Sequence, residues 1–256
     1  MGLLDGKTAL IFGIANDRSI AWGIARQLHA HGASVALSYA AEPLERRVVP
    51  LAQEIGASFV QKCDLSNDDE IGVLFERAKE ELGTIDILIH AVAFAPREAL
   101  SGNFSETTRE AFRVTMDISV YTLVAVTRGA LPLMSEGASI VTVTYYGGEK
   151  VAPNYNVMGV AKAALESATR YLAAELGERG IRVNAVSAGP IRTLSAAGVS
   201  GFRDHYRRFP DFAPMRRHVE QDDVGNAAVF LASDLSRNTT GEVLFVDAGA
   251  NIVTGG

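Results

Sequence analysis

The chain has 256 residues, of which 48% are hydrophobic, and a formal net charge of −6. A mildly acidic chain is a poor candidate for general binding of nucleic acids or anionic membranes, so we expect neither as a partner. The single cysteine, Cys63, excludes an intrachain disulfide framework and fits a reducing compartment. The sequence shows no secretory signal and no run of about 18 apolar residues that could span a bilayer. We expect a cytoplasmic protein, and the plastid stroma stays open if a transit peptide was removed.

Apolar runs alternate with amphipathic patterns along the whole chain. Runs typical of strands cover 8–12, 34–39, 58–63, 85–90, 138–144, 182–187 and 243–246. Patterns typical of helices cover 20–31, 44–55, 68–82, 107–133, 155–179 and 221–232. This alternation, with fully apolar strands, predicts one parallel sheet with helices on both faces. The fold class is therefore α/β: a single Rossmann-type doubly wound domain over 1–256, with about seven strands. Its longest irregular segment, 189–219, is predicted to be a substrate-binding lid.

The pair Tyr155 and Lys162 stands out in a segment of small and apolar residues. Their spacing of seven residues is two helical turns, so a helix over 155–179 would place both side chains on one face. A lysine among Val160, Ala161 and Leu165 is costly to bury without a partner. A phenol and a cationic amine on one stripe form a proton-handling pair when a cofactor lies beside them. A solvated lysine with a capping tyrosine is the structural alternative.

The end of the first strand carries a nucleotide-binding pattern that departs from G-x-G-x-x-G. The segment runs from Gly13 to Ala21, with one glycine for the turn and Ser19 at the mouth of the next helix. The Ser19 hydroxyl can cap that helix or donate to a phosphate, aided by the exposed N–H groups of the first turn. An ordinary N-cap serine is the alternative reading.

The next two strand ends bear on the choice of nucleotide. The second strand is followed by Ala40, Ala41 and Glu42, without a basic side chain that could neutralise a 2′-phosphate. We therefore predict NADH as the cofactor and regard NADPH as less favoured. Asp64 follows the third strand, where it can accept a hydrogen bond from the adenine amino group or cap the helix that begins near Asn67.

Several motifs together resemble the enoyl-acyl carrier protein reductases, a divergent branch of the short-chain dehydrogenase/reductase superfamily. They are Ser19 within G-x5-S-x-A, His90-Ala-Val-Ala-Phe-Ala-Pro96, Tyr145, Tyr155-x6-Lys162, and Ser187-Ala-Gly-Pro-Ile-Arg-Thr193. The resemblance extends from Asp5 to Ile252. It implies reduction of the trans-2 double bond of enoyl thioesters, the last step of the fatty-acid elongation cycle.

The departure from ordinary superfamily members is informative. Those members carry Y-x-x-x-K, which would put tyrosine where this chain has Met158. The phenol instead lies farther from the lysine, at Tyr155. An enoyl thioester takes hydride at C3 while charge develops on a carbonyl oxygen two carbons away, and a displaced acid suits that separation. An ordinary carbonyl or alcohol oxidoreductase and a catalytically silent dinucleotide-binding module are the alternatives.

The resemblance also implies roles for individual residues. Tyr145, Tyr155 and Lys162 would be catalytic, with Lys162 also holding the cofactor ribose. Further cofactor contacts are implied for Gly13, Ser19, Ile20, Asp64, Leu65, Val92, Ile118, Ile191, Thr193, Leu194 and Ser195. Substrate contacts are implied for Ala95, Tyr145, Met158 and Phe202.

The implied partners follow from the same family. The substrate would be linked to acyl carrier protein, which is acidic, so docking on this acidic chain needs a local basic patch. Arg203, Arg207, Arg208, Arg216 and Arg217 are candidates, although Asp204 interrupts the run. The resemblance further implies a homotetramer and binding of diphenyl-ether inhibitors.

Overall fold

The computed structural model describes residues 2–253, which are built around one seven-stranded sheet. The strands are β1 (Thr8–Phe12), β2 (Ser34–Tyr39), β3 (Phe59–Lys62), β4 (Ile87–His90), β5 (Ser139–Thr144), β6 (Arg182–Ala188) and β7 (Val243–Val246). Their order is β3-β2-β1-β4-β5-β6-β7, and every neighbouring pair is parallel. The strand order reverses between β1 and β4, which defines the switch point of a doubly wound sheet. The predicted fold class is confirmed.

The sheet is covered by helices on both faces. They are α1 (Ile20–Ala30), α2 (Glu42–Glu54), α3 (Asp68–Glu81), α4 (Arg109–Met116), α5 (Thr122–Ala130), α6 (Val157–Leu176), α7 (Phe202–Phe212) and α8 (Gln221–Ala232). One apolar cluster joins the sheet to α1, α2 and α8, and a second joins it to α3, α5 and α6. The central strands β1, β4, β5 and β6 are almost entirely buried because both of their faces lie against these clusters.

Two helical predictions need correction. The helix predicted over 107–133 is interrupted by a π-helical turn, Asp117–Tyr121, between α4 and α5, and ends in a 3₁₀ turn, Leu131–Leu133. The segment predicted to be irregular, 189–219, contains α7. The apolar side chains of α7 recur at Phe202, Tyr206 and Phe209, a helical period that the surrounding glycines and prolines obscure.

One stretch of the described chain has the length and apolar composition of a membrane span. It is Arg109–Leu133, and 44% of its apolar window is buried within the fold. The Leu123, Val126 and Ala130 side chains of α5 lie within the second apolar cluster, so this part of the stretch packs in the core of the domain.

Candidate active site

A large cleft opens at the carboxyl ends of the central strands, as expected at a switch point. Its volume is about 730 Å³, within the range of small-molecule sites. Every residue predicted for the site lines this one cleft: Gly13, Ser19, Ile20, Asp64, Leu65, Val92, Ala95, Ile118, Tyr145, Tyr155, Met158, Lys162, Ile191, Thr193, Leu194, Ser195 and Phe202. Their individual roles stay predictions.

The loop after β1 forms one wall of the cleft. Gly13 has a φ of +105°, and an added Cβ would overlap the Ala91 carbonyl, so this tight turn requires glycine. Ser19 precedes α1, but its hydroxyl makes no bond to the first turn of that helix. Instead the Ser19 Oγ accepts from the N–H groups of Ala15 (3.0 Å) and Asn16 (3.1 Å). The simple N-cap reading is therefore wrong, and the serine shapes the loop before the helix.

Asp64 lies at the cleft two residues beyond β3. Its Oδ1 accepts from the Ser66 N–H at 2.9 Å and from the Ser66 hydroxyl at 2.8 Å. The helix cap belongs to Asn67, whose Oδ1 accepts from the N–H groups of Asp69 and Glu70. The alternative that Asp64 caps α3 is wrong, because Asn67 already fills that position.

Tyr155 does not lie on α6, contrary to the prediction of a shared helix face with Lys162. It occupies the turn just before the helix, between Asn154 (φ +63°) and Asn156 (φ +45°). Asparagine tolerates the left-handed region better than most residues, which allows this turn. The Tyr155 ring meets Tyr145 edge-on, with centroids 4.9 Å apart and planes 74° apart. Burial raises the pKa of both phenols, so each is a neutral hydrogen-bond donor.

Lys162 is buried in α6 with only 5% of its surface exposed. Its Nζ donates to the Val143 carbonyl at 2.8 Å, and no other acceptor contacts it among residues 2–253. Burial lowers the pKa of Lys162 to about 8, and the carboxylate of Glu166 acts in the opposite direction. Glu166 accepts from the Thr144 hydroxyl at 2.7 Å, and burial raises the pKa of its carboxyl group. The ammonium group thus keeps unused donor capacity beside the cleft.

Stacked side chains connect distant parts of the lid segment, 189–219, to one another. The guanidinium of Arg192 lies 4.4 Å from the centre of the Tyr206 ring. On the same ring, His218 stacks at 4.0 Å with an interplanar angle of 3°. Thr193 lines the cleft, and its Oγ1 accepts from the Ala196 N–H at 3.0 Å, closing the next turn.

Sequence reasoning missed several residues that line the cleft. Leu100 comes from a 3₁₀ turn, Val199 from the lid segment and His205 from α7. They are ordinary apolar or amphipathic residues in segments without regular strand or helix patterns. The helical period of α7 is the one signal that could have identified His205.

Fold and cleft together define a class of protein. A doubly wound parallel sheet with a cleft at its switch point, lined by a buried lysine and two half-buried tyrosines, is the arrangement of a nucleotide-dependent oxidoreductase. A family model described as "Enoyl-(Acyl carrier protein) reductase" matches residues 13–251. The chain belongs to this family, and the resemblance noted from its motifs is confirmed.

Individual relatives are similar to this chain over almost its full length. An enoyl-acyl carrier protein reductase (NADH) of Bacillus cereus is 52% identical, covering 99% of this chain and 100% of the relative. One of Nostoc is 51% identical, covering 98% of both chains. The crystal structure of the Aquifex aeolicus enzyme is 49% identical, with a TM-score of 0.96 over 99% of this chain and 100% of that one. A Bacillus cereus structure with NADP+ and an indole naphthyridinone has a TM-score of 0.97 at 52% identity, over 99% of this chain and 100% of that one.

The buried ammonium group predicts a pH dependence of stability. Lys162 loses its proton near pH 8 when folded, against 10.5 for the ordinary value of a lysine, so the unfolded chain binds more protons between these values. The free energy of unfolding without cofactor should therefore gain a contribution on the order of 3 kcal/mol as the pH rises from about 8 to 10.5. Urea denaturation of the parent and of Lys162→Met across this range measures it, because the variant lacks the contribution.

The control is Lys79→Met, which removes an exposed lysine of α3. The free energy of unfolding of this variant should change with pH as it does in the parent. Equal slopes for the parent and Lys162→Met would contradict the burial of a charged amine at this position.

Proposed function

We propose that this chain reduces the trans-2 double bond of enoyl thioesters carried by acyl carrier protein, with NADH as the reductant. The observation that carries the proposal is the placement of the half-buried Tyr155 side chain and the buried Lys162 ammonium group along one cleft. Met158 lines the same cleft at the position where carbonyl reductases of this superfamily carry the acid. A thioether cannot donate a proton, which disfavours the carbonyl or alcohol oxidoreductase alternative.

The residues present fit a dinucleotide. The Gly13 turn brings main chain close to the cleft, Val92 and Ile118 offer apolar walls, and Lys162 has donors left for ribose hydroxyls. At the adenosine end, the hydroxyl of Tyr39 has a raised pKa because of burial and the carboxylates of Glu45 and Glu42. Negative charge there repels a 2′-phosphate, which supports NADH over NADPH.

In the proposed reaction the cofactor and the protein side chains have separate roles. When bound, the reduced nicotinamide supplies a hydride, which adds to C3 of the enoyl thioester. Tyr155 donates a hydrogen bond to the thioester oxygen as it becomes an enolate oxygen, and C2 then takes a proton to complete the reduction. Lys162 would hold the ribose hydroxyls, and its positive charge would favour the developing oxyanion. Tyr145 packs edge-on against Tyr155 and holds its ring in place.

Replacing Tyr155 with phenylalanine tests the central role. The variant keeps the ring packing but loses the donor to the oxyanion, so kcat with a dodecenoyl thioester should fall by about 10²–10³. NADH oxidation followed by absorbance measures this rate. Tyr146→Phe is the matched control, because Tyr146 is adjacent in sequence to Tyr145 but does not line the cleft. A diphenyl-ether inhibitor that bonds the Tyr155 hydroxyl should also lose potency in the Tyr155→Phe variant.

The same assay separates the competing activities. The parent should oxidise NADH with the enoyl thioester and not with a 3-oxoacyl thioester, and faster than it oxidises NADPH. Turnover of the oxo substrate alone would support a carbonyl reductase, and no turnover of either would support a silent binding module. Parental rates in the Tyr155→Phe variant would refute the assigned role.

The carrier protein is proposed to dock beside the lid segment. A second cavity of about 1120 Å³ adjoins the cleft, and its charged lining residues are four arginines and two aspartates: Arg18, Arg47, Arg192, Arg203, Asp17 and Asp204. Thr193, Leu194 and Phe202 line both spaces, so a basic surface borders the cleft at this point. Within α7, Arg207 pairs with Asp204 at 3.1 Å, which leaves Arg203 as the better candidate of the two for an acidic partner.

Arg203→Glu should lower kcat/KM for a carrier-linked enoyl substrate by about tenfold and weaken its salt dependence, because like charges would then face each other. A short enoyl thioester of N-acetylcysteamine, which lacks the carrier, should react at the parental rate. Arg208→Glu is the control on the same helix, since Arg208 does not line the cavity. An unchanged carrier-linked kcat/KM in Arg203→Glu would remove this docking site.

A homotetramer is proposed from the surface. Exposed apolar side chains lie on neighbouring helices, including Phe112 (41% exposed), Val160 (37%) and Tyr171 (79%). The strand β7 forms a sheet edge with only half-buried side chains, and such an edge is normally covered. Sedimentation equilibrium should give a mass four times the chain mass of 27.3 kDa. A mass of one chain at micromolar concentration would contradict the proposal.

A further inference from the structure

The π-helical turn Asp117–Tyr121 places a buried hydroxyl against the loop that follows β4. Ser119 lies in this turn, and its surface is completely buried. Its Oγ accepts a hydrogen bond from the Phe94 N–H at 3.0 Å and donates one to the Phe94 carbonyl at 3.0 Å. A single side chain therefore satisfies both main-chain polar groups of Phe94, which belongs to no strand or helix.

These two bonds fix two successive peptide planes. The Phe94 N–H belongs to the peptide that joins it to Ala93, and the Phe94 carbonyl to the peptide that joins it to Ala95. In a trans peptide the N–H points opposite to the carbonyl, and the described chain has no cis bond. Because the Phe94 carbonyl points at Ser119, the Ala95 N–H points away from it.

Within residues 2–253, the Ala95 N–H is left without a partner at a residue beside the cleft. Ala95 lines the cleft, and its N–H has no acceptor among the described residues. The Phe94 side chain is 48% exposed, so packing of that ring does not hold the loop in position. The Ser119 hydroxyl fixes the Phe94 carbonyl and with it the direction of the Ala95 N–H, while Ala93 and Ala95 pack in an apolar cluster.

The turn that carries Ser119 is itself anchored to the sheet through His90. The His90 ring is fully buried, with its Nε2 2.9 Å from the Thr122 Oγ1 and its Nδ1 2.9 Å from the Thr142 Oγ1. The Thr122 hydroxyl also contacts the Ile118 carbonyl at 2.6 Å, and the Thr142 hydroxyl contacts the His90 carbonyl at 3.1 Å. Burial lowers the pKa of His90 to about 3, with the charge of Lys162 acting in the same direction, so the ring is neutral.

A neutral ring and two hydroxyls supply three protons for these four contacts. The two carbonyl oxygens can only accept, so the Thr122 hydroxyl donates to the Ile118 carbonyl and the Thr142 hydroxyl donates to the His90 carbonyl. The single N–H of the neutral ring donates to one of the two threonine hydroxyls, which lie 2.9 Å from Nδ1 and Nε2. This series of hydrogen bonds connects β5 and β4 to the π turn at Ile118, the residue before Ser119.

We propose that Ser119 is a positioning residue for enoyl reduction, which holds the Phe94 peptides so that the Ala95 N–H faces the thioester. The inference rests on the proposed function of the cleft. Ser119 does not line the cleft, so it acts only through the loop that it holds.

The test is Ser119→Ala in the full chain. Loss of the hydroxyl frees the Phe94 peptides, and misplacement of a substrate contact should lower kcat/KM for a dodecenoyl thioester by about ten- to a hundredfold. The affinity for NADH, measured by fluorescence without substrate, should stay at the parental value. Hydrogen exchange of the peptide covering 91–95 should become faster. Thr127→Val is the matched control, because Thr127 is a buried hydroxyl of α5 without a hydrogen-bond partner in the described structure.

Parental kcat/KM in Ser119→Ala would overturn the proposal, and so would a loss of NADH affinity equal to the loss of enoyl turnover. A slower enzyme with unchanged exchange at 91–95 would overturn it as well. If the alanine variant does not fold, Ser119→Cys carries the same test, since a thiol keeps the volume but is a weak donor. A parent that reduces no enoyl thioester would refute the proposed function, while the exchange measurement would still report whether Ser119 holds the loop.

Discussion

The burial of one ammonium group is the constraint on which the rest of the site depends. Lys162 lies on α6 behind the end of β5, where only the Val143 carbonyl accepts from it within residues 2–253. Such a group costs free energy unless further partners stabilise it, and hydroxyls of a bound ribose are partners of the right chemistry. The same burial that lowers the pKa of the lysine therefore favours nucleotide binding, because the ligand supplies contacts that the protein does not.

The phenol depends on a different physical device. Tyr155 lies outside the helix, in a turn that two asparagines with positive φ make possible. Because Tyr155 lies before the first residue of α6, the helix alone does not fix where its hydroxyl lies. Packing of the Tyr155 ring against Tyr145 also sets that position. Burial keeps the phenol protonated, which suits a group that donates to a developing negative charge. Lysine and tyrosine are thus placed by separate elements that meet at one cleft.

The sequence predicted much of the fold and the residues that line the site. The physical reason is different for the strands and for the site residues. The strands β1, β2 and β7 have the predicted bounds because apolar runs between turn residues are distinctive. The site residues share one cleft because the ends of parallel strands meet at one edge. The π turn and α7 were missed for opposite reasons. An apolar helical period continues through the former, whereas glycines and prolines conceal the latter.

What the sequence could not show is where single hydroxyls direct the main chain. Ser19 and Ser119 are both serines at helical segments, yet the first accepts from the loop before α1 and the second holds both polar groups of Phe94. Nothing in their local sequence distinguishes these uses from capping, because the partners are defined only by tertiary contact. The position of a main-chain N–H in a cleft depends on the hydrogen bonds that hold the neighbouring peptides. In the case of Ser119, the buried residue that makes these bonds does not itself line the cleft.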